Sequence, residues 1–196
     1  MGEALRSPTA NTLQATDDDA LMEKFCRGDE NAFELLYARY APPVLAFLTR
    51  MVRDPALAED LLQVTFLSVV RARGRYQPGT TVRAWVFAIA GNAGRDALRR
   101  RQARREDLSA SAEVAAPAVT PADGPDPSAA RMLQQALMQL PFEQREAVVL
   151  HKLHDLSFEE ISKALGITVS AAKVRAHRGY HRLRELLGPL DLGEAP

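Results

Sequence analysis

The chain has 196 residues, 46% hydrophobic and 26% charged, with 25 basic and 25 acidic side chains. That is apolar material for one large or two small cores, and the zero net charge names no partner. Cys26 is the only cysteine, which excludes an internal disulfide; no secretory leader or apolar run of ~18 residues is seen, so a cytoplasmic protein without membrane insertion is expected.

Residues 1–16 are small, polar and aperiodic, and are expected to be disordered. Helical periodicity then holds over residues 17–106. Phe33, Leu36, Tyr37 and Tyr40 form one stripe, and Val44, Phe47, Leu48, Met51 and Val52 the next. Asp54-Pro55 is a helix start, with Asp as the cap and Pro at the first helical position. It opens a helix carrying Ala58, Leu61, Leu62, Thr65, Phe66, Val69 and Val70. Gln77-Pro78-Gly79-Thr80 reads as a turn, and Trp85, Val86, Ile89, Ala90, Ala93, Ala97 and Leu98 mark another helix.

Residues 107–128, with prolines at 117, 121, 125 and 127, read as an acidic linker that buries no core. A second helical region spans residues 129–187, and 188–196 read as a frayed tail. Leu133, Ala136, Leu137 and Leu140 line its first helix, and Pro141 ends it. Phe142 to Leu153 forms the second. Ser157 and Glu160 have capping-box spacing, Gly166 closes that short helix, and Thr168 caps the last one. No segment alternates with period two. The expected fold is all-α: two small helical domains joined by a flexible linker.

The charge is unevenly spread. Arg95 to Arg105 holds six arginines and one acid, residues 106–126 hold five acids and no Lys or Arg, and Lys173 to Arg184 holds five basic residues and no acid. A short capped helix, a glycine turn and a longer basic helix make a helix-turn-helix, whose second helix enters a major groove. Lys173, Val174, His177 and Arg178 share its outward face; Lys and Arg suit guanine or phosphate, and Val174 suits a thymine methyl. Tyr76, Trp85, Asn92 and Arg95 place aromatics beside basic residues, as unstacked bases require, although Trp85 also lies on the apolar stripe. His177/His181 and His151/His154 have helical spacing, but no cysteine or carboxylate set completes a metal site. No nucleophile triad or phosphate loop is present, so neither enzyme chemistry nor a cofactor is expected.

Taken together, these segments resemble the bacterial RNA polymerase sigma factors of the extracytoplasmic-function group. The residues that carry the resemblance are Ala58–Phe66, Arg83-Ala84-Trp85, Ile89–Asn92, Asp96–Arg100, Leu140-Pro141, Arg145-Glu146, Leu156–Ile161 and Ala172–Arg175. The resemblance implies that Asp60, Leu61, Leu62 and Gln63 dock on the clamp helices of the polymerase β′ subunit. It implies that the loop Tyr76 to Thr81 captures a flipped −10 base, with Asn92, Arg95 and Arg99 on the non-template strand. Ser170, Ala171, Lys173, Val174, His177 and Arg178 would lie in the −35 groove, with the β flap as the second domain's polymerase contact. The linker would run near the nascent RNA, and an anti-sigma factor would hold the protein inactive. Three departures stand out: Val64 where the family usually has Glu, Gly91 and Gly94 inside the melting helix, and Ser170-Ala171 in place of Gly-Thr. Each interior glycine costs roughly 1 kcal/mol against Ala, and close approach of DNA is one reason to keep them. Two other readings stay open on the residues alone: a helix-turn-helix regulator that acts without polymerase, and a sigma mimic that sequesters an anti-sigma factor.

Overall fold

The computed structural model describes residues 10–52, 54–77, 79–108 and 127–188. They form α1 (Ala10–Cys26), α2 (Glu30–Met51), α3 (Pro55–Ala72), a 3₁₀ turn (Arg73–Arg75), α4 (Val82–Leu108), α5 (Pro127–Gln139), α6 (Phe142–Lys152), α7 (Phe158–Leu165) and α8 (Val169–Leu187). Among the described residues there is no strand.

Helices α1 to α4 pack as one bundle. Asp29 caps α2 by accepting the Ala32 amide at 3.1 Å, and Asp54 caps α3 by accepting the Leu57 amide at 3.2 Å. The stripes on either side of Pro42-Pro43 form a single helix, α2. The prolines withdraw two amide donors, but Tyr40, Val44, Phe47, Leu48 and Met51 are all buried, and their packing carries the helix through. Helix α1 begins at Ala10, inside the stretch expected to be disordered. Its Leu21, Met22 and Phe25 are buried, and from that anchor each added turn costs little. The buried Asp18 of α1 accepts hydrogen bonds from Arg39 and from the Tyr40 hydroxyl, which fixes α1 against α2. Residues 1–9, 109–126 and 189–196, and with them most of the linker and tail, lie outside the described residues.

Helices α5 to α8 form the second domain. The Ser157 hydroxyl accepts the Glu160 amide while the Glu160 carboxylate accepts the Ser157 amide, completing the capping box. Gly166 ends α7 in the left-handed region at φ 64°. Thr168 caps α8 by accepting the Ala171 amide at 3.1 Å. Ala172, Ala176, Gly179 and Leu183 turn α8 inward. A Cβ on Gly179 would lie 2.5 Å from Val148 Cγ2 and 3.2 Å from the Gln144 carbonyl, so glycine is what lets α8 lie this close to α6.

The two domains also touch each other. Gln134 of α5 donates to the Thr49 carbonyl of α2 at 3.2 Å. The His154 ring sits between Phe47 of α2 and Phe87 of α4, at 6.0 and 4.6 Å between centroids. Nothing in the local periodicity anticipates this contact.

Candidate nucleic-acid interface

Helix α8 presents Ser170, Lys173, His177 and Arg178 to solvent, with Val174 at 44% exposure among them. Ala171 is half-buried, and its amide is spent on the Thr168 cap. Lys173 Nζ lies 5.8 Å from the Phe158 ring centre, which aligns its stem along the helix-turn-helix. Arg175, between them in sequence, turns aside to pair with Glu143 at 3.1 Å. Further along, Glu185 takes both His181 (3.2 Å) and Arg182 (2.8 Å), and the Arg182 hydrogen bond holds its carboxyl below the usual range. Lys173 and Arg178, neither in an ion pair, thus stand in the first half of α8, the half that a recognition helix presents to base edges, with the exposed Arg184 apart from them in the last turn.

The second expected surface lies on α4 and the loop before it. The Tyr76 hydroxyl lies 2.6 Å from the Thr80 carbonyl and 2.9 Å from Asp19 Oδ1, and its ring meets Trp85 edge-on at 5.4 Å. Burial and Asp19 push the phenol's pKa up, so it stays a neutral donor. Tyr76 thus braces the 76–81 loop, and Trp85 is half-buried behind it. Asn92 is exposed and accepts from Arg95 Nη2 at 2.6 Å. Arg99 is exposed and pairs only loosely with Asp96 at 3.8 Å.

Arg95 does more. Its Nη1 donates to both oxygens of Glu146, on α6 of the other domain, at 2.6 and 2.5 Å. Glu146 is completely buried, and burial pushes its pKa up to about 7 although the Arg95 charge pulls it down. Helix α7 reaches the same surface: Thr81 donates to Glu160 at 2.8 Å, and Lys163 donates to the Gly79 carbonyl at 3.1 Å. The sequence offered Glu146 only as part of the family resemblance and gave it no place at this surface. The signal was the pair of glycines. A Cβ on Gly91 would overlap Glu146 Oε1, and one on Gly94 would come 3.8 Å from Phe142 Cζ. The close approach at Gly91 in this structure is by the second domain, whereas at Gly94 a Cβ would meet Phe142 and Leu48 of α2 at ordinary contact distance.

The third surface is α3. Asp60 and Gln63 are exposed and Leu62 is half-buried, but Leu61 is 3% exposed. Leu61 therefore belongs to the core and is removed from the docking set. It shares the inward stripe with Ala58, Thr65 and Val69, which follows from three- and four-residue spacing. Val64 and Leu67, 45% and 55% exposed, stand on the outward face instead. Apolar residues in the outward register were the available signal for that face.

The histidine pairs do not converge. The His151 ring faces the Leu156 carbonyl through Nδ1 at 3.0 Å, while His154 is buried. Among the described residues no group of His, Cys, Asp and Glu is arranged to hold a metal ion. No helix among them is long and apolar enough to cross a membrane.

The two domains match family models separately. Residues 36–104 match sigma-70 region 2, and residues 130–183 match sigma-70 region 4. The chain is 57% identical over 172 residues to the RNA polymerase sigma factor CarQ of Myxococcus xanthus, covering 87% of this chain and 98% of that one. The chain belongs to the sigma-70 family, in its extracytoplasmic-function group. The extracytoplasmic-function sigma factor SigM of Mycobacterium tuberculosis is 32% identical over 180 residues, covering 90% of this factor and 87% of SigM. Among solved structures, the sigma factor RpoE of Bartonella quintana, in complex with the anti-sigma factor NepR, matches with a TM-score of 0.72 at 26% identity. That match covers 80% of this factor and 97% of RpoE. CnrH, in complex with the cytosolic domain of CnrY, matches at 0.66 and 26% identity, covering 87% of this factor and 96% of CnrH. This sigma factor directs RNA polymerase to promoters and is not an enzyme.

Proposed function

We propose that this sigma factor makes a two-point promoter contact, one through each domain. Region 4 inserts α8 into the −35 major groove, where Ser170, Lys173, Val174, His177 and Arg178 face the bases and phosphates. Ala171 supports that edge by tying its amide to the Thr168 cap. Region 2 opens the −10 element. The braced 76–81 loop receives a flipped base, and Asn92, Arg95 and Arg99 hold the non-template strand. The outward face of α3, with Asp60, Leu62, Gln63, Val64 and Leu67, docks on the β′ clamp helices. Region 4 meets the β flap. Joining two modest DNA contacts in one chain raises the effective concentration of each for the other.

The observation that carries this reading is the exposed cationic half of α8 on a fully capped helix-turn-helix, in one chain with an α3 face that keeps apolar side chains in water. As RpoE is found in complex with the anti-sigma factor NepR, so an anti-sigma factor holds this factor in reserve, and the factor works in the cytoplasm. Capture of purified core polymerase by the tagged factor tests the reading, with a housekeeping sigma factor as competitor. The expected result is mutual displacement of the two factors. Simultaneous binding, or none, would remove the α3 assignment.

A further inference from the structure

We propose that the free factor closes on itself. Region 4 seats α6 on the Gly91–Gly94 face of α4, Glu146 takes the Arg95 guanidinium, and α7 ties down the loop at Gly79–Thr81. Arg95 and the loop at Gly79–Thr81 are then engaged, while Asn92, Arg99 and the −35 helix stay open. The inference rests on the reading of Asn92, Arg95 and the 76–81 loop as promoter contacts.

Four separate contacts converge on that one surface. Arg95 donates twice to Glu146, Thr81 donates to Glu160, Lys163 donates to Gly79, and His154 inserts between Phe47 and Phe87. All come from region 4 and all land on α2, α4 or the loop before α4. A carboxylate bound through both oxygens meets a guanidinium much as a phosphate does, so Glu146 and a DNA strand compete for the same Arg95 donors. The fit is built into the backbone. An interior glycine weakens a helix, and the space left at Gly91 is filled by the Glu146 carboxylate, with Phe142 in ordinary contact distance of Gly94. A buried ion pair adds little net stability against an apolar pair of the same shape, yet it demands one register. That combination suits a contact that must be specific and still open.

The closed state leaves two surfaces free. Lys173, Val174, His177 and Arg178 remain exposed, and so do Asp60, Gln63, Val64 and Leu67. Core polymerase can therefore dock on α3 before the domains part. Opening then releases Arg95 and the 79–81 loop to the melted strand, so a factor without polymerase is held from binding single-stranded DNA fully.

Small-angle X-ray scattering on the free full-length factor tests this, with Gly91→Ala and Glu146→Ala alongside. Wild type is expected to scatter as one compact body. Gly91→Ala places a methyl group on Glu146 Oε1 and improves the propensity of α4, so its radius of gyration is expected to rise with helicity unchanged. Glu146→Ala is expected to do the same, because the Glu146 hydrogen bonds go to Arg95 and not to its own domain. Circular dichroism confirms folding, and if one variant loses helicity the other decides. A wild type that already scatters as two separated bodies, or folded variants as compact as wild type, would overturn the closed state. The measurement needs neither polymerase nor promoter, so its failure leaves the promoter reading standing, and failure of polymerase capture leaves the closure standing.

Discussion

Arg95 and Glu146 lie 51 positions apart and meet through two hydrogen bonds of 2.5 and 2.6 Å, one from each domain. The carboxylate has no solvent-exposed surface, while Arg95 also holds Asn92. One guanidinium thus joins the domains and orders the side chain beside it. The Glu146 contact uses Nη1 and the Asn92 contact uses Nη2, so the second can persist within α4 when the first is broken.

The same interface carries a pH dependence through His154. Burial between Phe47 and Phe87, with Arg50 and Arg83 nearby and only Asp155 opposing, pulls the His154 pKa from 6.5 down to about 4. Its contribution to closure is complete above about 6.5 and is lost as pH falls toward 4. Burial raises Glu146 from 4.5 to about 7 against the pull of Arg95 and Arg175, with Glu143 adding to the rise. Glu146 is buried within its own domain as well as at the contact, so the dependence of closure is drawn from His154, whose neighbours Phe47, Phe87, Arg50 and Arg83 all belong to the other domain. Relative to His154→Phe, closure of the wild type should weaken by roughly tenfold or more from pH 7 to 5. Energy transfer between dyes on Cys26 and on a cysteine introduced on α8 reads both proteins. Identical trends in wild type and His154→Phe would contradict the assignment.

Helix α3 separates stability from docking. Leu61→Ala should cost about 2–5 kcal/mol in denaturant unfolding, because it empties a core position. Leu67→Asp should change stability by less than about 1 kcal/mol and yet weaken capture of core polymerase severalfold. If Leu61→Ala weakens capture while the protein remains folded, and Leu67→Asp does not, the two faces have been exchanged.

On α8 the free and the paired arginines should behave differently. Lys173→Ala and Arg178→Ala should each weaken −35 duplex binding and lower the log–log salt slope by about 1 where the lost contact is a phosphate. Arg175→Ala should leave the slope unchanged, since its guanidinium is on Glu143. Reversing the charge at both Lys173 and Arg178 should abolish promoter activity. Fluorescence anisotropy across a salt series checks the slopes, and an Arg175→Ala effect equal to that of Arg178→Ala would move the groove face.

Local rules made much of the fold legible. The Ser157–Glu160 box, the Asp54 cap with Pro55, Gly166 and Thr168 each act over three or four residues, and each stands where the sequence placed it. The inward stripe of α3 was readable too, yet Leu61 was drawn into the docking set by its neighbours Asp60 and Leu62. What the sequence could not show was contact over long separation. Glu146 looks like an ordinary helix-face carboxylate until α4 is laid against it. Gly91 and Gly94 announced a close approach without saying of what, because a missing Cβ accommodates a DNA strand, a carboxylate or a ring equally well. The start of α1 at Ala10 was hidden for a related reason: its order comes from packing at Leu21, Met22 and Phe25, further along the chain.

The central claim is that the two domains together bring polymerase to a promoter. Run-off transcription with purified core polymerase and a genomic promoter library tests it most directly. The account predicts new, discrete start sites that require the factor and are lost when both Lys173 and Arg178 are reversed in charge. Start sites unchanged by adding the factor, or start sites that survive the double reversal, would contradict it.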